Sequence, residues 1–166
     1  TLAPIDSLAT TRFYSALPIQ FGPYAVHYSL RPHSLPEFTG CAGNGPDYLA
    51  EELALRLRKA PVSFDFQIQF YVDADKSPIE AASGVWRVDD APFITVGHLT
   101  FAQQDLTRPA AQRLSAFIET LSFDPWHALT EFRPLGNMMR ARNVAYRVST
   151  QARGAADEPN GDEFFD

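Results

Sequence analysis

The sequence predicts an α+β fold organised around an antiparallel sheet or barrel with flanking helices. Three observations point there: strands whose apolar and polar residues alternate without a break, an order of strand, helix, two or three strands and two helices, and the lack of any internal repeat or Gly-rich phosphate loop. One-faced alternation suits antiparallel pairing, because doubly wound parallel sheets bury both faces and read as continuous apolar runs. With 166 residues, 45% of them hydrophobic and 13% aromatic, the chain can bury a core as one domain or a large part of one.

Residues Tyr24 to Leu30 form the first predicted strand, with Tyr24, Val26, Tyr28 and Leu30 on one face and Ala25, His27 and Ser29 on the other. The Pro-, Gly- and Ser-rich stretch from Arg31 to Gly45 marks a loop. Pro46 and Asp47 then open a helix, Leu49, Leu53 and Leu57 recur at helical spacing, and Arg58 and Lys59 suit its C-terminal end. After Pro61, Phe64 to Val72 is the strongest strand, Phe64, Phe66, Ile68, Phe70 and Val72 facing one way and Asp65, Gln67, Gln69 and Tyr71 the other. A short strand is expected at Val85 to Val88, and another from Phe93 to Phe101, where Gly97 predicts a bulge or a close approach. Thr107 reads as the N-cap of a helix to Leu121, with Leu114, Phe117, Ile118 and Leu121 on one side. The last helix is expected from Met138 to about Gln151.

Composition narrows the function classes. The net charge is −6, and four of those charges belong to residues 151–166, where Arg153 stands against Asp157, Glu158, Asp162, Glu163 and Asp166. The remainder is nearly neutral and has no dense basic run, which argues against nucleic acid, while the acidic end reads as a solvated tail. The lone cysteine, Cys41, excludes an internal disulfide framework and a cysteine-based metal site, and its glycine neighbours suggest a loop. No apolar run is long enough to span a bilayer and no signal-peptide pattern opens the chain, so the expectation is a soluble protein, leaning cytoplasmic. The start at Thr1 suggests a processed product, a truncation or a piece of a longer polypeptide.

The most informative side chains are Arg142 and Tyr146. On one helix, i, i+4 spacing puts guanidinium and phenol on the same face, one turn apart. A fixed cation beside a phenol favours the phenolate, a ligand that haem iron accepts. The same spacing also occurs on exposed helices, where the ring merely lies along the arginine stem. Other chemistries lack an anchor. The histidines His27, His33, His98 and His127 never recur at a spacing that places two ligands on one element, and those on strands default to solvent-facing or hydrogen-bonded roles. No serine sits in a nucleophile-elbow turn, and Glu51 and Glu52 read as a solvated helix face.

Four segments resemble the catalase superfamily. Arg142-Asn143-Val144-Ala145-Tyr146 matches the R-x-x-x-Y element that supplies the axial tyrosinate and its arginine. GPDYLAEELALRLRKAPVSFDFQIQFYVD, from Gly45 to Asp73, is similar to the family's helix, turn and long barrel strand. FITVGHLTF, from Phe93, is similar to its strand around a Val-Gly pair, and SFDPWHAL, from Ser122, to the Phe-x-Pro segment that leads to the haem. The wording PWHAL, RPLG and RAR…AY is closer to the small catalase-like haem proteins of bacteria, and to the related allene oxide synthase domain, than to large catalases. The likeness runs from about Tyr14 to Arg153.

That resemblance implies the C-terminal, proximal half of a catalase-like antiparallel β-barrel in residues 1–153, followed by an acidic, disordered tail in 154–166. It implies haem b as cofactor, Tyr146 as iron ligand and Arg142 as the cation that keeps it ionised. Met138 would touch the porphyrin face, Phe123 and Pro125 would wall the pocket, and Arg153 would meet a haem propionate. Arg133 would be a second propionate partner or fix the RPLG turn, where Phe132 departs from the histidine of the subgroup. Nothing here resembles the family's distal histidine and asparagine, and His27 does not match the distal motif. The expected partner is therefore a second chain or an N-terminal half carrying the distal side, in a homo- or hetero-oligomer. The implied activity is catalase- or peroxidase-like, on hydrogen peroxide or an organic hydroperoxide. A non-catalytic haem-binding or structural subunit and a small barrel that binds an apolar ligand are the alternatives.

Overall fold

The computed structural model describes residues 5–33, 45–155 and 158. Five strands and three helices follow in chain order: β1 (Phe13–Tyr14), β2 (Ile19–Phe21), β3 (Tyr24–Pro32), α1 (Tyr48–Lys59), β4 (Val62–Phe70), β5 (Ile94–Phe101), α2 (Pro109–Ile118) and α3 (Asn137–Arg153), with a 3-10 turn at Thr130–Phe132 before α3. All pairings are antiparallel. β1 and β2 lie along β3, which pairs with β4, and β4 with β5. The fold class read from the alternation is therefore correct, and within the described residues the sheet is open rather than closed into a barrel. Cys41 and most of the acidic tail lie outside the described residues.

Val26, Val62 and Ile68 are fully buried in this sheet, each contributing roughly 1.5–3 kcal/mol by removal from water. α1 covers one end: Leu57 joins Ala9, Val62 and Phe64, with Leu30 and Leu53 against them. The helical leucine stripe reads correctly. Glu52 does not, because it is buried rather than solvated. Its carboxylate accepts from Arg56 Nε at 2.9 Å and from Ser7 Oγ at 2.8 Å, which provides the partners a buried charge requires.

The polar face of β4 is also buried, against the expectation of one covered face. Asp65, Gln67 and Gln69 are all shielded, and each is satisfied. Gln67 accepts from Arg12 at 2.9 Å and donates to Thr95 Oγ1 at 3.1 Å. Gln69 Nε2 donates to the carbonyls of Trp86, Arg87 and Ala91. Those bonds explain why Val85 to Val88 is a loop: its carbonyls serve a side chain instead of a neighbouring strand. Asp65 takes Arg31 on one oxygen, and the guanidinium first, then the His33 ring, hold its carboxyl down at about 2.

The Gly97 bulge is present. Phe66 pairs with Gly97 but Gln67 pairs with Thr95, leaving Val96 as the extra residue. α2 begins one residue later than read: Arg108 occupies the N-cap and Pro109 the first turn, while Thr107 instead turns back on Asp105 Oδ1. Leu121 is buried beyond the end of α2, whereas Ile118 is exposed. Among the described residues, neither α2 nor α3 packs on the sheet as extensively as the strands pack on one another.

Candidate functional site

α3 is held at both ends by specific geometry. Gly136 precedes it at φ +88°, and a Cβ there would lie 2.6 Å from the carbonyl oxygen of Ile79, so only glycine fits. Glu80 caps the first turn, its Oε2 accepting from the Asn137 backbone at 2.7 Å and from Arg140 Nη2 at 2.9 Å. At the far end Gly154, at φ +59°, donates its N–H to Gln151, and Ala155 donates to Thr150, a Schellman closure. The segment before α3 is fixed to the sheet by bonds from Gln20 N–H to the Arg133 carbonyl and from Leu135 N–H to the Pro18 carbonyl.

Arg142 and Tyr146 meet on this helix. Arg142 Nη2 donates to Tyr146 Oη at 2.7 Å, and the guanidinium carbon lies 5.3 Å from the ring centroid. The Phe123–His127 turn packs beside them. Asp124 sets that turn, accepting from Trp126 N–H on Oδ1 at 2.9 Å and from His127 N–H on its carbonyl. The Trp126 indole then donates to the Met139 carbonyl at 3.3 Å, which joins the turn to α3.

The result is an open cavity of about 350 Å³ lined by Phe123, Asp124, Pro125, His127, Tyr146 and Glu158. Three residues read from the sequence, Phe123, Pro125 and Tyr146, line it together, and Arg142 is joined to them through the phenol. Met138 lies one turn before Arg142, and Met138 and Phe123 remain exposed at 46% and 54%, apolar side chains that the described residues do not cover. Arg153 lies exposed in the last turn of α3 and Arg133 is exposed before it, and neither lines the cavity. His127 and Glu158 also line it, outside the residues expected from the sequence, with His127 Nδ1 against the Glu158 carboxylate. His127 was visible in the SFDPWHAL segment, whereas Glu158 sat in what read as a solvated tail.

A phenolate oxygen is among the donors that haem iron accepts. A phenol oxygen held by a guanidinium keeps lone-pair capacity for a metal, and Tyr146 lines the cavity beside an aromatic ring and a proline.

No protein-family model matches the chain. Over 136 residues, 80% of its length, it is 29% identical to the catalase-related peroxidase of Mycolicibacterium paratuberculosis (strain ATCC BAA-968 / K-10), and it spans 40% of that protein. Two solved structures share the fold. A fungal catalase matches 89% of the chain with TM-score 0.68 and 19% identity, and a bacterial catalase matches 97% with TM-score 0.65 and 18% identity. The fold is catalase-like. The chain spans 32% and 37% of those two catalases, about a third of each. The catalase likeness read from four short segments therefore extends over nearly the whole chain. Among the described residues, no helix of this catalase-like chain is long and apolar enough to cross a membrane.

Proposed function

We propose that the chain is the haem-holding, proximal part of a catalase- or peroxidase-like protein acting on hydrogen peroxide or an organic hydroperoxide. The observation that carries this reading is the 2.7 Å bond from Arg142 to Tyr146 Oη, at the edge of a cavity, in a catalase-like fold. In this reading Tyr146 is the axial phenolate and Arg142 the cation that stabilises it. Phe123 and Pro125 wall the pocket, Met138 packs on the porphyrin face, and Arg153 and Arg133 pair with propionates as charge-assisted donors. Bound haem would supply the redox iron for peroxide chemistry.

The chain's own residues bind and orient, and groups able to move a proton on the opposite side come from a second chain or an N-terminal half. Consumption of hydrogen peroxide and of an organic hydroperoxide, with oxygen release marking catalase turnover, measured on the haem-loaded protein together with that distal half, tests the reading. The expected result is one haem per chain and turnover of hydrogen peroxide or of an organic hydroperoxide. One haem per chain with neither turnover sinks peroxide handling and leaves a haem-binding subunit. No haem uptake sinks both.

A further inference from the structure

The fold assembles a cluster that chain spacing alone conceals. In the sheet register Arg31 pairs with Asp65, and Asp65 with His98, so three neighbouring strands present these residues on one face. His33 follows β3, anchored by its backbone N–H on the Ser63 carbonyl at 3.0 Å, and its ring swings onto the same carboxylate. Both imidazoles use Nδ1, which lie 2.6 Å (His33) and 3.1 Å (His98) from the single oxygen Asp65 Oδ1. The rings stand edge to face with centroids 5.1 Å apart.

We propose that His33, Asp65 and His98 form a binding site for one divalent transition-metal ion of the imidazole-preferring class, represented by Zn²⁺. Two imidazole nitrogens and one carboxylate oxygen are the ligand set such ions take, and the three donor atoms lie within 4.8 Å of one another. The carboxylate is 4% exposed and the rings 51% and 59%, so a buried carboxylate anchors two half-exposed imidazoles. Arg31 grips the other oxygen, Oδ2, through Nε and Nη2 at 3.2 and 2.7 Å and so orients Oδ1 toward the rings. Its charge beside the site weakens cation binding, which distinguishes this from a closed structural zinc centre. To bind, each neutral ring keeps its proton on Nε2 and offers Nδ1 to the ion, with water completing the coordination. The bound ion ties together β4, β5 and the residue after β3.

Titration of the haem-free full chain, without an affinity tag, with zinc chloride tests this by calorimetry and by thermal unfolding. The expected result is saturable uptake of one Zn²⁺ per chain and a raised unfolding midpoint. His33→Ala and His98→Ala each weaken binding by at least roughly tenfold, the scale on which a metal site responds to loss of a supporting group. Their circular dichroism shows that the fold persists. His127→Ala, which removes the imidazole paired with Glu158, leaves zinc affinity unchanged. No saturable uptake, uptake that His98→Ala leaves intact, or uptake that depends on His127 overturns the proposal.

Discussion

The carboxylate of Glu80 meets the backbone N–H of Asn137 at 2.7 Å, so a side chain from the loop after β4 closes the N-terminus of the helix that carries Tyr146. Arg140, one turn into α3, binds the same carboxylate and is the main cause of the lowered Glu80 pKa. A depressed carboxyl contributes stability above its unfolded value, near 4.5, and that contribution is lost as pH falls through the folded value. Glu80→Gln keeps the shape and removes the charge. Hydrogen exchange of the Asn137 to Arg140 amides should accelerate in the variant at neutral pH, with the difference shrinking as pH falls below 4.5 toward the lowered folded value and wild type is protonated.

Gly136 sits where a side chain cannot. Gly136→Ala forces a Cβ against the Ile79 carbonyl at φ +88° and should cost about 2–3 kcal/mol in urea unfolding. Gly97→Ala is the matched control. Nothing lies within 4 Å of its Cβ position, so the change should stay within about 0.5 kcal/mol.

His27 sets a pH dependence of opposite origin. Its ring is bonded to Ser15 Oγ at 2.8 Å and stands edge to face with Trp86 at 4.4 Å. Burial lowers its pKa below 6.5, and the Ser15 backbone carbonyl offsets this only in part. The unfolded chain therefore binds a proton that the folded one resists, so stability falls as pH drops through about 6.5 toward the folded value. Replacing the ring in His27→Gln should flatten the unfolding free energy as pH falls from neutral through 6.5 relative to wild type. A wild-type profile that the variant reproduces would contradict this.

What the sequence revealed follows the range of each signal. Alternation over Tyr24–Leu30 and Phe64–Val72 marked β3 and β4, the second of which ends at Phe70, because a period of two reports directly on which side chains share a face. It did not reveal that Gln67 and Gln69 are buried, since that depends on Arg12 and the Trp86 loop, which arrive from distant parts of the chain. β1 and β2 are only two and three residues long, too short for any periodicity. Arg142 and Tyr146 were legible because i, i+4 contact is local to one helix. The convergence of His33 and His98 on Asp65 was not, because it is set by cross-strand register.

The most direct test of the central assignment is the visible absorption of the haem-loaded protein in wild type and Tyr146→Phe. Phenylalanine keeps the ring and removes the oxygen that Arg142 binds. The assignment predicts a Soret band that shifts or weakens and reduced haem retention in the variant, with Arg142→Leu giving a smaller loss. A spectrum and haem content identical to wild type would contradict Tyr146 as the iron ligand.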